Sequence, residues 1–198
     1  MPKRTTDNPL VLPLMGLLME RPMHPYEMAA VLRERGKDAA VRINRGSLYD
    51  VVRAIETAGW ITALATVREG GRPARTVYEL TPEGRAEFTA RLGDQIRRPR
   101  REYPAFLTAV AYLGALGPQG ALAALRERED RLGELLDAER AALDEALTAA
   151  AVPRLHVIEA EYALHQLDGE RAWVRAIADE IRAGTLTWPT SPDESENA

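Results

Sequence analysis

The sequence predicts a mainly α-helical protein in two parts. A winged helix-turn-helix domain with a two-stranded wing occupies residues 1–101, and an all-helical dimerisation domain occupies 102–184, ahead of an acidic, disordered tail over 185–198. Three observations predict this. Residues 45–81 read as a helix, a strand, a Gly-Gly-Arg-Pro turn and a second strand. Charge is unevenly spread: residues 1–101 hold 18 Lys and Arg against 12 Asp and Glu, a net +6, whereas the remaining 8 against 18 give −10 in a chain whose total is −4. Finally, leucines 122, 125, 132, 136, 143 and 147 recur at a spacing of three or four residues or its sums, as on one side of a long helix.

Taken in order, Asn8 is placed to cap a first helix reaching about Met19, with Pro9 at its first position and Leu10, Leu14, Leu17 and Leu18 on its apolar face. Pro13 lacks an amide hydrogen and crowds the preceding turn, so the helix either starts irregularly or begins only near Pro13. A second helix follows Pro25, with Tyr26, Ala29, Ala30 and Leu32 offering apolar contacts and Gly36 ending it. Residues 37–43 form a connection. From Asn44 a third helix carries Leu48, Val52, Ile55 and Gly59 at core spacing, leaving Tyr49, Arg53 and Glu56 on another face. Gly59 stops it, 60–67 alternates as a strand, and Gly70-Gly71 turns the hairpin. In the return strand Tyr78 and Leu80 point one way and Arg75, Val77 and Glu79 the other. Thr81-Pro82 opens a fourth helix to about Arg98, where Arg-Pro-Arg-Arg marks the boundary.

Beyond it, a short apolar helix over 106–116 is expected to end at Gly117-Pro118. The leucine-rich helix comes next. Glu129 and Glu139 interrupt its seam, which favours packing against another part of the fold over an unbroken coiled coil. After 149–153 breaks that run, a last helix over 154–182 places Ile158, Tyr162, His165, Trp173, Ile177 and Ile181 on one side. The ending TSPDESENA is small, polar and acidic.

No run of eighteen apolar residues exists and residues 1–9 lack an apolar leader core, so neither a membrane span nor a secretory leader is expected. With no cysteine there is neither a disulfide framework nor a thiolate metal site, which fits a cytoplasmic protein.

Candidate contacts with double-stranded DNA lie on the third helix, at Arg45, Ser47, Tyr49 and Arg53, and on the wing, at Arg68, Arg72 and Arg75. Leu48, Val52 and Ile55 already fill the core face of that helix, which frees Tyr49 for a base or a phosphate. Three arginines within eight residues, offset only by Glu69, favour backbone or minor-groove contact over ordinary solvated charge. Asp50 suits a helix amino terminus but repels phosphate; it either points away or reads a cytosine amino group. Gly71 and Pro73 follow from turn geometry alone.

The three histidines do not make a catalytic or metal centre. His24 adjoins prolines and is read as a cap or packing group. His156 with Glu159, and Glu161 with His165, have no matching set on a facing helix, so solvated charge is the better reading. No cofactor or metal is expected, and no chemistry on a substrate. Tyr162, Trp173 and Ile177 are candidates for a pocket holding a flat apolar effector, although core or dimer packing explains large apolar residues without any ligand and is the better reading.

These motifs also resemble a known family. Gly16-Leu17-Leu18, Pro22-Met23-His24-Pro25-Tyr26-Glu27, Gly46-Ser47-Leu48-Tyr49, Glu56 to Gly59, Gly71-Arg72-Pro73 and Tyr78-Glu79-Leu80-Thr81 with Gly84 resemble the PadR family of bacterial transcriptional regulators. The resemblance is close over the first half and general beyond it. Pro25 departs from the glycine usual there and stiffens the second helix. The resemblance implies that Ser47-Leu48-Tyr49 lies in the recognition helix and that the first helix packs against the carboxy-terminal helices. It also implies a homodimer, a repressor on a palindromic operator, and a small aromatic or drug-like effector bound between carboxy-terminal helices. Two other classes fit the residues: a ligand-independent architectural DNA binder, and a winged-helix module that binds protein, which the +6 amino-terminal half disfavours.

Overall fold

The computed structural model describes residues 6–37, 45–67 and 75–188, with the backbone alone at Arg45, Ala65, Thr66, Val67 and Arg75. The chain divides into two compact units, Met1–Arg101 and Glu102–Ala198. In the first, α1 (Val11–Glu20), α2 (Pro25–Glu34) and α3 (Arg45–Thr57) are followed by strands β1 (Ile61–Val67) and β2 (Arg75–Leu80) and by α4 (Pro82–Arg97). Helix α1 is the hub. Leu10, Val11, Leu14, Met15, Leu17 and Leu18 are buried against Met28 and Leu32 of α2, Leu48, Val51, Val52 and Ile55 of α3, and Phe88 of α4. Each such side chain withdrawn from water contributes on the order of 1.5–3 kcal/mol.

The start of α1 differs from expectation. The cap position is Leu10, and Asn8, two residues earlier, caps the turn leading into α1, its Oδ1 accepting from the Leu10 amide at 2.9 Å and its carbonyl from the Val11 amide at 3.0 Å. Pro13 then falls in the first turn of α1, where an amide hydrogen has no intrahelical partner to lose. In α2, His24 Nδ1 accepts from the Tyr26 amide at 3.1 Å and so caps the helix. The buried stripe there is Pro25, Met28, Ala29 and Leu32; Tyr26, at 55% exposure, and Ala30 lie off it.

The two strands pair antiparallel, Ile61 opposite Leu80 and Ala63 opposite Tyr78. The register slips between Ala63 and Ala65, leaving Leu64 as an exposed bulge residue. Met23 extends the ladder by exchanging both backbone hydrogen bonds with Tyr78, each at 3.0 Å.

In the second unit, α5 (Ala105–Ala111) leads through a 3-10 turn, Leu113–Leu116, into α6 (Gly117–Thr148), and a second 3-10 turn, Arg154–His156, precedes α7 (Ile158–Ala183). Gly117-Pro118 was expected to end a helix. It also begins the next: Gly117 takes a positive φ of 65° and Pro118 occupies the first turn of α6. α6 and α7 run antiparallel, joined by Arg128 to Glu170, Glu129 to Arg175 and Arg140 to Asp168, each at 2.7 Å. Glu129 therefore closes an ion pair on the partner helix where the seam appeared interrupted.

The face of α7 that packs overlaps the expected one only towards its carboxy-terminal end, where Ile181 is buried and Ile177 packs on the core. Val174, Ala178 and Ile181 are buried, whereas Ile158, Tyr162 and His165 are exposed. Small residues at the crossing explain the difference, because Ala121, Gly133 and Ala178 let the helices approach. A Cβ at Gly133 would lie 3.0 Å from the Arg171 guanidinium that crosses it. Residues 185–188, assigned to the tail by sequence, pack back: Leu186 and Trp188 join the core, and Trp188 Nε1 donates to the Gly114 carbonyl at 2.9 Å. The remainder of the expected tail lies outside the described residues. No single described helix is long and apolar enough to cross a membrane; α5 with the segment 113–148, bent by 67°, passes only on length and composition as a pair.

Candidate nucleic-acid interface

Helix α3 is fixed by its core face. Leu48, Val51, Val52 and Ile55 are buried, which turns Gly46, Tyr49, Asp50, Arg53 and Thr57 outward. Tyr49 is 45% exposed. Arg53, also outward, lies 3.1 Å from Asp50 one turn back, so part of its charge is already answered. Asp50 faces solvent beside it. Glu56, expected on this face, is half-buried and accepts from the Tyr78 hydroxyl at 3.5 Å, because the return strand covers the last turn of α3. Burial and the neighbouring Glu56 carboxylate together push the Tyr78 phenol above the usual tyrosine range.

The wing is held to α3 by backbone. Gly59 takes a φ of 77° to leave the helix, and Thr81 Oγ1 donates to its carbonyl at 2.7 Å while accepting from the Gly84 amide at 2.9 Å. Gly84 allows this closeness, since a Cβ there would come within 1.9 Å of the Trp60 carbonyl oxygen. Arg91 of α4 lies over the Trp60 ring at 4.9 Å, donates to Glu87 at 2.8 Å and to the Thr6 carbonyl at 2.6 Å.

Of the candidate DNA contacts, Tyr49 and Arg53 share one exposed face of α3, and Ser47 sits half-buried at its start, accepting from Asn8 Nδ2 at 3.3 Å. Arg45 is the first residue of α3, and Arg75 opens β2 opposite Val67. Arg68 and Arg72, with the turn residues Gly71 and Pro73, lie outside the described residues. Asn8 escaped the sequence reading as a neighbour of this helix, since nothing in local spacing connects two residues thirty-nine apart.

The effector candidates differ in their surroundings. Tyr162 is 63% exposed and donates to nothing in the core; its hydroxyl accepts from Gln166 Nε2 at 2.9 Å. Ile177 packs on the core of the second unit, and Trp173, 41% exposed, meets Phe106 edge-on at 6.0 Å. Phe106 in turn lines a groove of about 480 Å³ with Val110, Leu113, Leu116, Leu132 and Leu135, and Arg128 lies 3.5 Å over its ring. Glu161 is bound by Arg154 at 2.7 Å, which holds its carboxyl below the usual range. Among the described residues no group of three His, Asp or Glu could hold a metal ion.

A buried hub helix, an outward-facing third helix and a hairpin behind it define a winged-helix protein with a helical second unit. Residues 14–90 match the family described as the Transcriptional regulator PadR-like family. Solved structures agree in fold. Bacillus subtilis PadR in complex with operator DNA superposes with a TM-score of 0.72 at 18% identity, over 87% of this chain and 98% of that one. The same protein in complex with p-coumaric acid gives 0.70 at 18% identity, again over 87% and 98%. The PadR-like regulator BC1756 from Bacillus cereus gives 0.58 at 17%, over 88% and 98%. No curated protein matches the sequence.

Proposed function

We propose that the protein is a cytoplasmic transcriptional repressor that binds a palindromic operator as a homodimer through α3 and the wing. The observation that carries this reading is the division of α3: one face is sealed into the core, while Tyr49 and Arg53 face outward beside a hairpin whose sequence carries Arg68, Arg72 and Arg75. In a two-fold dimer, two such helices enter successive major grooves about 34 Å apart, with the wings on flanking backbone or minor groove. The net +6 of residues 1–101 supports a phosphate partner. The DNA-bound fold neighbour supports the same use of this architecture.

The proposal extends to a small aromatic or drug-like effector bound by the carboxy-terminal unit, with Tyr162, Trp173 and Ile177 as candidate contacts. The neighbour holding p-coumaric acid and the apolar groove beside the Phe106 and Trp173 pair support an effector there. An effector that favours one spacing of the two heads lowers operator affinity by its differential affinity for the two states.

A titration of duplex DNA at several salt concentrations tests the reading. The expected log-log slope is about −0.9 per phosphate neutralised, and replacing Arg72 and Arg75 by alanine makes it shallower while weakening all sequences alike. Affinity that does not change with salt contradicts the assignment of the wing.

A further inference from the structure

Asn8 precedes α1, yet its amide reaches the first turn of α3, with Nδ2 3.3 Å from Ser47 Oγ. The other end of that amide is committed, because Oδ1 accepts from the Leu10 backbone N–H at 2.9 Å. A backbone N–H only donates, so Oδ1 must face Leu10 and Nδ2 therefore faces Ser47, whose hydroxyl oxygen accepts; a flipped amide would leave the Leu10 N–H without an acceptor. The segment carrying Asn8 is tied to α4 in turn. Arg91 donates to the Thr6 carbonyl at 2.6 Å, two residues before Asn8, and is itself seated on Trp60 and Glu87. Leu48 pins the same turn of α3 from the core side.

We propose that Asn8 is a positioning residue for sequence recognition. By donating to Ser47 it fixes the amino-terminal turn of α3, and Arg91 holds the segment that carries it. This rests on the reading of α3 as the helix that meets duplex DNA. The amino-terminal residues of a recognition helix are the ones that reach base edges. A turn allowed to shift therefore loses its fit to one sequence, while the diffuse attraction between arginines and phosphates is unchanged. Asn8 acts through Ser47, with no contact of its own to DNA required.

The test uses the full chain and two duplexes, one selected by the wild-type protein from a random-sequence pool and one scrambled to the same composition. Binding and thermal melting are measured for wild type, Asn8→Ser, Ser47→Ala and the double variant. Serine keeps an oxygen for the Leu10 amide but is too short to reach Ser47, so the turn survives and the contact does not. Asn8→Ser is expected to melt close to wild type and to bind the selected duplex about fivefold more weakly, the worth of one hydrogen bond. The scrambled duplex is expected to bind with unchanged affinity and salt slope, and the double variant to be no weaker than Ser47→Ala alone. Undiminished discrimination by Asn8→Ser overturns the positioning role and leaves the DNA reading intact. So does a loss that strikes both duplexes alike, follows a fall in melting temperature, or multiplies with that of Ser47→Ala. A wild-type chain that selects no duplex overturns both.

Discussion

Arg53 is not a bare cation on α3, because its guanidinium already lies 3.1 Å from Asp50. That pair is exposed and contributes little to stability, so in the proposed reading a phosphate would displace Asp50 at small cost. Tyr49 is the firmer recognition candidate at this scale, since no core role competes for it. Tyr49→Phe is expected to leave melting unchanged and to weaken duplex binding by about 1 kcal/mol, the worth of one hydroxyl bond. A marked fall in melting temperature would instead place the ring in the core. Tyr78, behind the same helix, answers to pH. Its folded pKa is raised, first by burial and then by Glu56, so the unfolded chain ionises first. The stability linked to it is full below the ordinary tyrosine range and is lost as pH rises through the folded value. In an absorbance titration Tyr78→Phe should remove a late-ionising component; a difference between wild type and variant confined to the ordinary tyrosine range would contradict it.

The elements were legible where burial follows a simple period and obscure where it depends on the partner helix. α3 was readable because Leu48, Val52 and Ile55 repeat along one face and Gly59 ends it. The packed face of α7 was legible only at Ile177 and Ile181; further back the large residues Ile158, Tyr162 and Trp173 stay exposed while smaller ones, Val174 and Ala178, are buried at a close crossing. Hydrophobic size and burial part company there, and a single sequence does not report how near the next helix lies. The Asn8 to Ser47 bond was invisible for a similar reason, being tertiary and between residues with strong local roles of their own. The break after α6 carries a cost that sequence also concealed: Ala151 holds a φ of 47°, in the left-handed region. That conformation costs an alanine roughly 1–2 kcal/mol relative to its usual one. Ala151→Gly is expected to raise unfolding free energy by about 1 kcal/mol after glycine's larger unfolded entropy is set against the relief. Denaturant titration checks this, and an unchanged or lower midpoint would contradict it.

For the whole molecule, the charge split suits the proposed reading, in which the positive amino-terminal half meets phosphates and the negative carboxy-terminal half faces solvent and a second copy. The second unit leaves Tyr112, Leu116, Leu155, Ile158 and Tyr162 exposed. Large apolar side chains left in water on one unit are what a protein partner covers. In the proposed reading a dimer matters to function because linking two heads raises the effective concentration of the second once the first has bound. Sedimentation of the full-length chain, alone and with a duplex selected from a random-sequence pool, tests this most directly. At micromolar concentration the account predicts a dimer in free solution and two chains on each duplex; a monomer in solution with one chain per duplex would contradict it.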